Sequence, residues 1–179
     1  MCGSLSLAPG GGKLAGSNVE GGSMYLTILL VVHVVGAVVG IGSTYAFSIL
    51  GPNVGKAGPN GGAAILASII EIEKKIVTPV TLFTQPLTGV LIIFETGRNQ
   101  DFFSHTWLWV AILIYAVIIV LSYGIDLPAM HRTLAWMKTA AGPPSPEVEK
   151  DIKTANTLGP IMGILGVIIV ILMVWKPGE

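Results

Sequence analysis

The sequence predicts an all-α fold: an integral membrane, four-helix up-down bundle. Three observations predict it. First, 52% of the 179 residues are hydrophobic and only 11% are charged, whereas soluble domains carry about 25% charged residues. Second, the charges are segregated. No Asp, Glu, Lys or Arg occurs in residues 21–55, 76–94, 102–125 or 154–175, stretches of 35, 19, 24 and 22 residues. A hydrocarbon core about 30 Å thick takes roughly 20 helical residues at about 1.5 Å rise each, so each stretch holds one span. Third, the stretches are apolar all round, as in VAILIYAVIIVL over residues 110–121. Backbone amides find no water in lipid, so only helices or closed barrels cross it, and barrel strands would alternate polar with apolar residues.

Residues 1–23 are rich in Gly and Ser without periodicity and are expected to form a disordered tail. The long apolar run follows this tail, which argues against a cleaved signal peptide. Met24 opens directly into the first span and is a candidate start of the chain; intact mass tests this. Cys2 is the sole cysteine, so no intrachain disulfide forms, and neither lipoprotein processing nor myristoylation is expected at this terminus. A formal net charge of zero gives no reason to expect nucleic acid.

Span 1 is expected over residues 24–50. Residues 51–62, GPNVGKAGPNGG, read as a loop. Residues 65–75 read as a helical lead-in near the membrane surface, with Glu71 and Lys75 spaced for an i,i+4 pair. Span 2 covers 76–94. The short turn that follows makes spans 2 and 3 antiparallel neighbours. Span 3 covers 106–125. Asp126-Leu127-Pro128 is expected to kink or restart the helix. Met130, Leu134 and Met137 then share one face, which fits an interfacial helix. GPPSP at 142–146 breaks it, and span 4 covers 158–175. No internal repeat is evident. Seven of the ten Lys and Arg residues lie in the 51–75 and 126–157 connections. The positive-inside rule therefore puts those connections in the cytoplasm of a cell membrane and both termini outside. Tyr25, Trp107, Trp109, Trp136 and Trp175 are expected as interfacial anchors.

Polar and small residues inside the spans are the candidate functional residues. His33, Gly36, Gly40, Ser43 and Thr44 share one face of span 1. Gly36–Gly40 and Gly159–Gly163 are GxxxG pairs, expected in close helix packing. Thr78, Thr81, Thr84, Gln85 and Thr88 form a polar stripe along span 2, expected to line the bundle interior. Pro79 and Pro86 interrupt that helix, and threonines or water are expected to compensate the carbonyls they leave. His33 is the one imidazole well inside a span. An ionisable residue at that depth is a functional candidate. As a neutral imidazole it could ligate haem iron or another metal, relay a proton, or bond a neighbouring helix. His105, near the same outer side, is a weaker second ligand; His131 lies on the opposite side. No pair of intramembrane carboxylates is visible, which disfavours an ordinary cation-coupled transporter.

Several segments together resemble a known family. The first-helix HVVGAVVGIG at 33–42, the second helix from Pro79 to Gly89, Leu127-Pro128 followed by Arg132, and LMVWKP at 172–177 resemble the predicted bacterial integral membrane family called domain of unknown function 2269, over residues 24–177. More distantly, the first helix is similar to those of copper-resistance-D-type proteins and the membrane protoporphyrinogen oxidase family. That likeness implies haem b or metal chemistry at a first-helix histidine, and only His33 maps onto the position. The sequence leaves three functions open: a non-enzymatic membrane component, alone with the bilayer or in a homo-oligomer or membrane complex; a haem- or metal-binding protein using His33; and a small-solute or metal transport accessory.

Overall fold

The computed structural model describes residues 18–139 and 142–178. The elements are α1 (Asn18–Lys56), α2 (Gly58–Ile72), α3 (Gln85–Glu95), α4 (Thr106–Leu121), α5 (Leu127–Thr139) and α6 (Pro146–Trp175). Three π-helical turns, Glu73–Val77, Val80–Thr84 and Ser122–Asp126, join α2 to α3 and α4 to α5 without a break. The result is four rods long and apolar enough to cross a membrane: Met24–Lys56, Asn60–Glu95, Thr106–Thr139 and Pro146–Trp175. No strand occurs among the described residues. The chain is an all-α, four-helix membrane bundle. Large apolar side chains such as Val38, Ile49, Phe83, Leu87, Val120 and Ile164 point outward, as a surface solvated by lipid requires.

Several boundaries differ from expectation. The irregular tail expected over 1–23 lies, for 1–17, outside the described residues; from Asn18 the chain is helical. The expected 51–62 loop is almost entirely helix. α1 runs through Pro52 to Lys56, and the chain reverses at Ala57 and Gly58, whose φ of +71° suits a residue without a Cβ. Pro59 falls in the first turn of α2, where its missing N–H costs nothing. The helices then cross so closely that a Cβ on Gly62 would lie 2.3 Å from the Val54 carbonyl oxygen. Composition suggested a loop; the glycines and prolines instead make a tight hairpin. α6 likewise starts well before the expected 158. Ser145 caps it, accepting from the Val148 N–H, and Pro146, Glu147 and Glu149 suit its first turn.

The prolines explain the π turns. Thr78, Gln85 and Leu127 each precede a proline, and each sends its N–H back five residues, to Glu73, Val80 and Ser122. A proline ring crowds the carbonyl four residues earlier, and a wider turn relieves that crowding without ending the helix. The expectation that threonines cover the freed carbonyls is corrected. Thr81 and Thr88 donate to the carbonyls of Val77 and Thr84 (2.9 and 2.7 Å), not to those four residues before Pro79 and Pro86.

Two ends can be distinguished. The basic end carries the α1–α2 and α5–α6 connections, and the terminal end carries residues 96–105 and the C-terminus. Val54, Leu66, Ile70 and Leu134 form the main buried cluster at the basic end, with Met130 and Met137 against it. The apolar face of α5, expected to lie on the membrane surface, therefore packs on the α1–α2 hairpin. Arg132 grips Asp151 with two 2.7 Å hydrogen bonds and ties α5 to α6. α1 packs on α2, α3 and α6, and α4 packs on α6. Spans 2 and 3 run antiparallel but meet mainly through α2 and α5 and through tyrosines, since α3 and α4 are not among the closely packed pairs.

Candidate functional site

Two polar seams run through the bundle. The first joins spans 1 and 2. His33 Nδ1 lies 2.8 Å from Thr88 Oγ1, and Gln85 Nε2 donates to the His33 carbonyl at 2.9 Å. Gln85 and Thr88 are buried, and His33 is half-buried. Small residues permit this approach. A Cβ on Gly36 would come within 2.9 Å of Gln85 Nε2, one on Gly40 within 3.2 Å of Thr81 Cγ2, and one on Gly89 within 3.4 Å of His33 Cε1. The first GxxxG pair thus faces the polar stripe. The second faces α1: a Cβ on Gly159 would lie 3.0 Å from Ser48 Oγ, and one on Gly163 3.5 Å from the Tyr45 ring.

The short bond from Thr88 to the Thr84 carbonyl favours one histidine tautomer. The Thr88 hydroxyl has one proton, and the Thr84 carbonyl 2.7 Å away can only accept it. Thr88 Oγ1 is then an acceptor toward His33, so Nδ1 carries the ring hydrogen and Nε2 carries a lone pair. A ring nitrogen held in this way is the usual orienting contact of a metal-ligating histidine. His33 is accordingly set up as an Nε2 ligand or base.

The second seam joins spans 2 and 3 toward the basic end, and the sequence reading missed most of it. Thr81 Oγ1 meets the Tyr123 hydroxyl at 2.6 Å, and the Tyr115 hydroxyl donates to the Thr81 carbonyl. Glu73 is in electrostatic contact with Asp126. Asp126 is 8% exposed, and its Oδ1 is buried without a partner. Glu73 opens the π turn at the start of span 2, and Asp126 closes the π turn at the end of span 3. A partial signal existed: Tyr115, Tyr123 and Asp126, at offsets of eight and eleven, share one helical face. Nothing local linked them to Glu73.

His105 and His33 stand on different elements. His105 caps the start of α4 at the terminal end, while the His33 seam is built from α1 and span 2. Among the described residues no three His, Cys, Asp or Glu side chains converge as a metal-binding group. Trp107, expected as an anchor in the interface, is instead 7% exposed. Arg98 and Lys176 lie 5.8 and 5.9 Å from its ring centroid, so cation–π contacts hold it at the terminal end of the bundle.

Four apolar helical rods with polar groups turned inward define a multi-pass integral membrane protein. The family model described as "Predicted integral membrane protein (DUF2269)" matches residues 27–177, and the chain belongs to that family. No curated protein and no solved structure matches it.

Proposed function

We propose that the protein is a non-enzymatic component of the cell membrane, a subunit or packing partner, with both termini on the outer side. The observation that carries this reading is the closure of the first seam. His33 Nδ1 meets Thr88 Oγ1 and Gln85 Nε2 donates to the His33 carbonyl, so the polar groups of the two spans tie the helices together. The depressions along Ala116, Val117, Val120 and Leu121 and along Lys150, Lys153, Thr154, Thr157 and Leu158 are open surface grooves. The orientation rests on the concentration of Lys and Arg at the basic end.

The test is purification of the full chain from its own membranes in mild detergent, followed by native mass spectrometry and a visible spectrum. The reading expects a defined homo-oligomer or a stoichiometric membrane-protein partner, and no Soret band. A haem-loaded monomer would overturn it. Orientation is checked with a membrane-impermeant maleimide on intact cells in a Cys2→Ala background. Gln100→Cys should label and Lys150→Cys should not; the reverse pattern contradicts the orientation.

The tautomer favours a second reading, in which His33 Nε2 ligates haem b or another metal. Here His33→Ala would lose a bound group that the wild-type protein carries, with the helical spectrum unchanged. Equal haem and metal contents in the two proteins would discard it.

A further inference from the structure

Arg98, Trp107 and Lys176 come from three parts of the chain and meet at one place. Arg98 lies in the turn after α3, Trp107 in the first turn of α4, and Lys176 just past α6. The Arg98 guanidinium carbon and the Lys176 ammonium stand 5.8 and 5.9 Å from the same indole ring centroid. Trp107 is buried and both cations are half-buried. The indole Nε1–H is buried without an acceptor. The ring therefore acts here through its face, whose negative potential attracts cations, and not through its polar edge.

Lys176 reaches the ring from a backbone conformation that lysine rarely adopts. It closes α6 at φ +45°, the one left-handed non-glycine residue among those described. A Cβ is crowded there, which is why glycine is the usual residue at such a cap. Two positive charges brought to one ring, partly out of water, repel each other. Among the described residues no acid forms an ion pair with Lys176, and Glu95 and Asp101, the acids of this end, are exposed. An anion between the cations offsets the repulsion and accepts hydrogen bonds from both. The depth of the site selects the anion. α3 ends at Glu95 and α6 at Trp175, so each cation stands within a turn of a span end. Phe94, Phe103 and Trp175 are exposed at the same end, where aromatic side chains mark the headgroup level. The anionic group that a phospholipid bilayer presents at that level is phosphate. Arginine grips phosphate with a planar fork of N–H donors, and lysine adds a point charge.

We propose that Arg98 and Lys176, held over Trp107, form a phosphate-binding site that takes the headgroup of a membrane phospholipid at the terminal end of the bundle. The phosphodiester oxygens accept from the guanidinium fork and the ammonium, and the indole face keeps the two cations together. A lipid of net negative charge, such as phosphatidylglycerol, binds in preference to phosphatidylcholine, whose own quaternary ammonium neutralises its phosphate. The inference depends neither on the role of His33 nor on which side of the membrane this end faces.

The test is native mass spectrometry of the full chain released from nanodiscs of phosphatidylcholine containing phosphatidylglycerol. The wild-type protein should retain a phosphatidylglycerol adduct, and its occupancy should fall several-fold in the double variant Arg98→Gln, Lys176→Gln. The double variant Lys150→Gln, Lys153→Gln, altered at the basic end, should match the wild type. A measurement without variants at the site guards against misfolding. The chain has two arginines, Arg98 and Arg132. In a sample with 13C at the arginine Cζ, solid-state NMR should show dephasing of the Arg98 signal by lipid 31P and little effect on Arg132, which grips Asp151; an Arg132→Lys sample assigns the two signals. Equal adduct occupancy in the wild type and the Arg98, Lys176 variant overturns the proposal. So does an Arg98 signal untouched by lipid phosphorus. Loss of the adduct when inorganic phosphate is added at constant ionic strength would assign the site to free phosphate and overturn it as a lipid site.

Discussion

Replacing Thr88 with valine removes one hydroxyl, keeps the shape, and separates the first seam into its parts. The lost oxygen is the acceptor for His33 Nδ1–H at 2.8 Å, and the lost hydrogen is the one given to the Thr84 carbonyl. In soluble cores a buried donor left unpaired costs about 1–3 kcal/mol. In bilayers, interhelical polar contacts average about 0.6 and reach about 1.7 kcal/mol, because the separated helices also find partners. His33 is half-buried and span 1 stays in lipid in either state, so the bilayer figures govern. The expected loss is about 0.6–1.5 kcal/mol, read from unfolding in mixed micelles. In a double-mutant cycle with His33→Phe, the coupling should be at least half a kilocalorie, roughly the bilayer average. The structural readout is 15N NMR of labelled histidine. The wild-type protein should show hydrogen on Nδ1 of His33 and a bare Nε2; Thr88→Val should lose that preference. A wild-type spectrum with hydrogen on Nε2, or a coupling indistinguishable from zero, would refute the reasoning.

Two further outcomes follow from geometry already described. Gly62→Ala should destabilise the α1–α2 hairpin by about 1–3 kcal/mol, because its Cβ would meet the Val54 carbonyl oxygen at 2.3 Å; Gly55→Ala, with nothing within 4 Å, should be neutral or stabilise by up to about 1 kcal/mol. Unfolding midpoints of the two variants check this, and equal midpoints would contradict it. Asp151→Asn removes the charge that both nitrogens of the Arg132 fork grip. Hydrogen exchange should rise in α5 and the first turns of α6 while the centre of α1 is unchanged; uniform exchange across the chain would show that the pair is no latch.

The four spans were legible because the energetic reason for them is local. A stretch without charge and long enough to cross hydrocarbon has few other stable places, whatever its neighbours do. The inward turn of Thr81, Gln85 and Thr88 was legible for a similar reason, since their spacing marks one face of one helix. What failed to show were features set by contact. Residues 51–62 have loop composition, yet the close crossing of Gly62 over Val54 makes them a helical hairpin. Met130, Leu134 and Met137 show the stripe of a surface helix, but the hairpin covers them. Pro79, Pro86 and Pro128 were readable as interruptions. That each is absorbed by a π turn, and that Thr81 meets Tyr123, depends on how spans 2 and 3 face each other. Trp107 looked like a belt residue until Arg98 and Lys176 were found over its ring.

The central claim is that span 2 turns its polar stripe to the bundle and its apolar face to lipid. Nitroxide scanning of residues 76–94 in bilayers, with oxygen as the lipid-soluble relaxant, tests it most directly. Collision rates should peak at Phe83, Leu87 and Val90, which lie outward, and fall at Thr81, Gln85 and Thr88. Flat rates along the segment, or maxima at the threonines and Gln85, would contradict the account.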